Sequence, residues 1–179
     1  MANVCSFELK VVGKHDNVCN FLTCFFGEEE YETSQMPTRV YDGTDCYNFD
    51  SSDPERTAAF LTGSCAWSVS SAFLDFSEPG NKNQILSFSK KHSLTLEFYS
   101  EECGMEFAEH YIIEKGKITT KEVVRFQEYY IEDVEDNLDD FLEEDFVKAN
   151  GITKENYLEK FDGEDYLRLG GFGDCEFTI

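Results

Sequence analysis

Bases are scarce in this sequence. Fifteen Lys and Arg stand against thirty-seven Asp and Glu, a net charge of −22. A nucleic-acid duplex is repelled at long range by such a chain, and few cations are available to release its counterions. Non-specific nucleic-acid binding is thereby excluded, and basic partners are favoured. Proline is almost missing as well, with three in 179 residues, while seventeen Phe, nine Tyr and one Trp are present. That apolar area exceeds what a disordered acidic chain carries, so the chain folds. No apolar run approaches the roughly 18 residues that a membrane span requires. The opening MANVCSFELKVVGK has no basic leader and no continuous apolar stretch, which leads to the expectation of a protein without a targeting segment. With an odd number of cysteines, seven, the expected location is cytoplasmic and the expected thiols are free. A length of 179 residues suits one domain over residues 1–179, large enough for a core without disulfide staples.

Several chemical signatures are lacking too. There is no G-x-G-x-x-G, no Walker lysine loop and no G-x-S-x-G, and GGFG near the end reads as a turn because no helix follows it. DGTDCYNFDSSD is acidic but lacks the mid-loop glycine of a calcium-binding EF-hand.

What is present is a clear alternation of patterns. CSFELKVVG places Cys5, Phe7, Leu9 and Val11 on one side and Ser6, Glu8 and Lys10 on the other, a half-buried strand. Asp16 then caps a helix whose Val18, Phe21, Leu22 and Phe25 recur at helical spacing up to Gly27. Residues 28–56 read as a long irregular connection with a short strand around Val40–Tyr47. AAFLTGSCAWSVSSAFLDF gives two extended stretches meeting at Gly63, NKNQILSFSKKH a short amphipathic helix, and SLTLEFYS another strand. This order, βαββαβ, is that of a ferredoxin-like α+β fold with two helices on one face of an antiparallel sheet.

A hairpin follows, turning at Lys115 and Gly116, so that Glu114 pairs with Lys117. On that register Met105, Phe107 and Tyr111 face the core, while Glu106 and His110 lie on the wet side opposite Arg125 and Lys121. Val134, Leu138, Phe141, Leu142 and Phe146 then form the apolar stripe of one helix. A short helix through Tyr157, Leu158 and Phe161 completes an acidic helical elaboration over about 132–162, and the chain returns to a last strand over about 174–179.

MANVCSFELKVVG, CAWSVSSAF with YSEECGMEFAEHY, and GGFGDCEFTI together resemble the YubB-type ferredoxin-like proteins of plasmids, phages and integrated elements. Cys65, Ala66, Trp67 and Ser68 and the segment Glu101–Tyr111 carry the match; Val4 stands where relatives often have Trp or Asn, and residues 28–56 match nothing in the pattern. The resemblance implies a ferredoxin-like fold and a mobile-element origin, and it brings no general catalytic assignment.

Three groups of residues can carry chemistry. Glu97, Glu101, Glu102, Glu106, Glu109 and His110 surround the hairpin, and Glu106 with His110 is the alternative acid–base pair. Cross-strand ion pairing on a solvated face, such as Glu106 with Arg125, is the simpler reading. Cys19 and Cys24 point about 140° apart on a helix and cannot share an ion. His15 and Cys19 do share a face, and with Cys46 they form the alternative zinc set; otherwise no cofactor is expected. The third group is IEDVEDNLDDFLEED, nine acids in fifteen positions with no base between Arg125 and Lys148. This forgoes the i,i+4 ion pairs an ordinary surface helix uses. Asp133, Glu135, Asp136, Asp139, Asp140, Glu143, Glu144 and Asp145 are therefore the expected partner-binding residues, imitating phosphates for a Lys- and Arg-lined groove.

An acidic protein resembling mobile-element proteins and lacking a catalytic constellation is expected to be an anti-defence factor. The expectation is an anti-CRISPR inhibitor of a type II effector nuclease, a monomer that binds this basic protein partner directly or in its guide complex and touches no membrane. Two other classes stay open: an RNA-processing or nuclease-like enzyme built on the hairpin Glu and His residues, and a non-catalytic regulatory protein of the element.

Overall fold

The computed structural model describes residues 3–26, 45–74, 84–172 and 177. Seven strands form an antiparallel sheet in the order β2-β3-β1-β4-β5-β6-β7: β1 Val4–Gly13, β2 Asp45–Asp50, β3 Thr57–Ala66, β4 Thr95–Glu102, β5 Phe107–Glu114, β6 Lys117–Tyr130 and β7 Tyr166–Gly170. The helices are α1 His15–Phe26, α2 Gln84–His92, α3 Ile131–Asp136, α4 Leu138–Glu143, α5 Asp145–Ala149 and α6 Tyr157–Phe161, with a π-helical turn at Ser70–Leu74. Contacts divide the chain into two compact units, Met1–Val123 with Asp174–Ile179, and Val124–Gly173. The strand expected over 174–179 and most of the 28–56 connection lie outside the described residues, as does Gly27.

In the first unit the alternation of β1 is realised: Cys5, Phe7, Leu9 and Val11 are all buried. Antiparallel registry with β3, β4 and β5 stacks them into rows, Leu61–Leu9–Phe98–Tyr111 and Ala59–Val11–Leu96–Ile113. Val18 and Phe21 from α1, Ile85 from α2 and Phe73 from the π-helical turn complete that core. The hairpin turns at Lys115 (φ 49) and Gly116 (φ 78), two consecutive left-handed residues as a tight two-residue turn demands. A Cβ at Gly116 would come within 2.6 Å of the Leu86 carbonyl oxygen and of Lys90 Cβ, so only glycine fits there. Thr119 Oγ1 donates to the Ile112 carbonyl at 3.3 Å, as expected when Glu114 stands opposite Lys117.

Three sequence expectations for this unit need correction. Gly63 does not end a strand: β3 runs through it, with Gly63 opposite Phe7, whose ring packs edge-on against Phe73 at 5.3 Å. SVSSAFL is helical rather than extended, because its first amides are held by a carboxylate from β5 that the local pattern does not reveal. Met105 is 55% exposed instead of core, since β5 begins only at Phe107 and Glu106 sits in the preceding turn with φ 55.

The second unit has a small core of Val134, Phe141, Val147, Ile152, Phe161, Leu167 and Leu169. The expected single helix is broken into α3, α4 and α5, at Asn137 (φ −132, ψ 37) and at Glu144 (φ −64, ψ 133). Electrostatics contributes to the breaks. Carboxylates are stabilising in the first turn of a helix and repel one another at i,i+4 in its interior. Interruption places Glu132 and Asp133, then Asp139 and Asp140, then Asp145 in first turns. A strand absent from the expectation, β7, pairs with β6 so that Tyr129 faces Leu167 and Phe126 faces Gly170.

Candidate functional site

Within the second unit, the end of β6 runs directly into α3, where the Ile131 amide donates to the Asp165 carbonyl at 2.9 Å. Tyr129 lies edge-on to Phe141, ring centroids 4.9 Å apart. Its hydroxyl is 2.7 Å from both Gln127 Oε1 and Glu144 Oε2, which fixes the Glu144 carboxylate beside the ring. Between these elements opens a cleft of about 190 Å³ lined by Glu128, Tyr129, Tyr130, Asp133, Val134, Asn137, Asp140, Phe141 and Glu144. Val134 and Phe141 are buried and supply apolar floor, while Asp133, Asp140 and Glu144 are exposed.

The eight acids expected to bind a partner therefore separate. Asp133, Asp140 and Glu144 line the cleft; Glu135, Asp136, Asp139, Glu143 and Asp145 do not. Glu143 is paired with Lys148 at 2.7 Å, which holds its carboxyl below the ordinary range, and Asp139 lies 3.7 Å from Lys154. Glu128, at 4.0 Å from Arg168, is a cleft acid that the sequence reading missed, and so are the two tyrosines. Their one local signal is the Glu-Tyr-Tyr run immediately before the acidic stretch.

The carboxylates around the hairpin in the first unit do not converge, because side chains on β4 and β5 alternate between the two sheet faces. Glu109 points inward and is buried. Its Oε2 accepts the Val69 amide at 2.8 Å, the Ser70 amide at 3.4 Å and Ser100 Oγ at 3.1 Å, and its Oε1 accepts the Tyr111 hydroxyl at 3.3 Å. Burial first, and then the Glu109 charge, raise the Tyr111 hydroxyl to about 12. Cys5 and Cys65 stand opposite each other in the same interior, both without a disulfide. The bond to Cys5, then burial, push the Cys65 thiol up, so it stays protonated. Glu102 is buried on this side too, with Oε1 accepting the Gly104 amide at 3.2 Å.

His110 lies on the opposite face. Its ring stacks on Tyr99 at 4.1 Å and 2°, with Nε2 3.1 Å from Glu97 Oε1 and Nδ1 3.8 Å from Glu122 Oε2. Both ring nitrogens are thus turned to carboxylates, and Glu97 and Glu122, rather than Glu106, are the acids beside it. His15 and Cys19 do meet, Nε2 to Sγ at 3.6 Å, while Cys46 is exposed with its thiol 3.5 Å from the Asn48 carbonyl. Among the described residues no set of three or more His, Cys, Asp or Glu is arranged to hold a metal, so His15, Cys19 and Cys46 do not come together as ligands. Nor is any described helix long and apolar enough to cross a membrane.

No family model matches the chain, and no curated protein or solved structure matches it.

Proposed function

We propose that this protein is a non-catalytic binding protein that offers the carboxylates of its second unit to a basic, nucleic-acid-binding groove of another protein, and that the target is a type II CRISPR effector nuclease in the cytoplasm. The observation that carries this reading is the concentration of charge: Val124–Gly173 holds fifteen acids against five bases, with the acids of α3 and α4 at the surface around a cleft. Exposed carboxylates on folded backbone complement a Lys- and Arg-lined channel and raise the rate of encounter with it. The succession β2-β3-β1-β4 with α1 and α2 supports assigning a ferredoxin-like fold to the first unit, in keeping with the resemblance to mobile-element proteins. The enzymatic alternative built on Glu106 and His110 has less support, because the acids flanking the His110 ring are Glu97 and Glu122 and not Glu106.

The test is binding to a purified type II effector with and without its guide. Changing Asp136, Asp139, Asp140, Glu143 and Glu144 together to Asn and Gln keeps the side-chain shapes and removes five charges. Affinity is expected to fall at least about tenfold, and the wild-type affinity to drop steeply with salt as screening shortens to about 8 Å at physiological ionic strength. Full inhibition by the neutralised protein, or no binding of either effector form, would discard this reading.

A further inference from the structure

The cleft in the second unit has more chemistry than an acidic surface needs. Its floor is aromatic and aliphatic, through Tyr129, Phe141 and Val134, and its rim carries Glu128, Asp133, Asp140 and Glu144. Asp133 and Asp140 have no basic partner among the described residues, unlike Glu143 and Asp139 outside the cleft. At about 190 Å³ the space is smaller than small-molecule pockets, which start near 300 Å³, and suits a single inserted side chain. The aromatic floor is also unsuited to a bare divalent cation, and no metal-holding set is present among the described residues.

We infer that this cleft is the receptor for one arginine side chain of the basic partner. Arginine matches both halves of the site. Its methylene stem lies on apolar surface, its planar guanidinium stacks on an aromatic face, and its fork donates to paired carboxylates. Tyr129, which holds Glu144 through its hydroxyl, keeps a ring and a carboxylate in fixed relation before the partner arrives, so little ordering cost remains on binding. A lysine ammonium reaches the acids but neither stacks nor forks. The inference rests on the proposed binding function and deepens it: a diffuse acidic surface becomes one with an anchor.

The experiment titrates the full-length protein with two peptides, alternating glycine–arginine and alternating glycine–lysine, following amide chemical shifts and dissociation constants. Two charge-matched variants separate cleft from surface: Asp133→Asn with Asp140→Asn inside it, and Glu159→Gln with Glu164→Gln, exposed acids of the same unit, outside it. Expected are shifts centred on residues 128–144, tighter binding of the arginine peptide, a loss of at least about tenfold for the cleft pair, and at most about twofold for the outside pair. Equal losses for the two pairs would overturn the anchor while leaving the acidic-surface reading intact. Equal affinity for the two peptides would overturn the choice of arginine. Effector binding by the wild type with no loss on changing the cleft pair would also overturn the anchor, whereas failure to bind any effector would strike the proposed function instead.

Discussion

The two units bury polar groups in opposite ways. Thr57, Ser68, Ser89, Ser100, Glu102 and Glu109 are the buried polar and charged side chains among the described residues, and all six belong to the first unit. In the second unit the buried side chains are apolar and the carboxylates stay in water. The first unit thus spends its charge on its own architecture: one carboxylate, Glu109, ties a helix start to two strands. The second leaves its charge free to meet something else. A buried, satisfied carboxylate makes a structure specific and is costly to disturb, whereas an exposed one is cheap to change and easily reached by a partner.

The largest expected effect is at Glu109. Replacing it by Ala strands the Val69 and Ser70 amides and the Ser100 and Tyr111 hydroxyls, and should cost about 3–5 kcal/mol in urea unfolding. A loss below about 1 kcal/mol would erase the contrast with the second unit. Next is Phe141→Ala, expected to cost about 3 kcal/mol by emptying part of a small core. Native-state hydrogen exchange should then quicken at amides of Val124–Gly173 and not in β1, β3 or β4; uniform quickening would mean the two units unfold as one.

A smaller effect is alkaline. The Tyr111 hydroxyl titrates near 12 when folded against an ordinary value of 10. The neutral form is therefore the one the fold favours. Its contribution is complete below pH 10 and is lost as pH rises through about 12. Stability measured across that window should decline, and Tyr111→Phe should flatten the decline while leaving acid behaviour unchanged. Least of all should come from redox. Among the described residues, Cys5, Cys19, Cys24, Cys46 and Cys65 form no disulfide, so adding reductant should leave the melting temperature where it was. A fall of several degrees would reveal a structural bridge.

Period-two alternation made β1 legible, because every second residue from Cys5 to Val11 is buried on one face and the pattern lasts long enough to read. The hairpin was legible for a different reason: a two-residue turn ending in glycine has few alternatives. Glu109 was not, since its amide partners at Val69 and Ser70 lie some forty residues earlier and no local pattern distinguishes an acid that caps from one that faces solvent. The stripe from Val134 to Phe146 showed correctly which residues turn toward a core but not where the helix breaks, because periodicity survives a break at Asn137. β7 went unread: Leu167 and Leu169 alternate as they should, but five residues ending in glycine give little to count. For the site, the acids themselves were plain in the sequence. What selects three of them, the Tyr129 ring and its hydroxyl bond to Glu144, depends on a strand meeting a helix and appears only in three dimensions.

Trp67 opens the helical turn after β3, with φ 68 and its amide donating to the Asn3 carbonyl at 2.9 Å. It is 49% exposed and is the only tryptophan in the chain. Light absorbed selectively by indole is therefore absorbed in the first unit alone, and the emission reports that unit's hydration. Tyrosine emission, by contrast, arises in both. A melting curve followed at the tryptophan wavelength follows the first unit, and one followed by far-ultraviolet circular dichroism follows the helices of both. The gap between the two curves measures how independently the second unit comes apart.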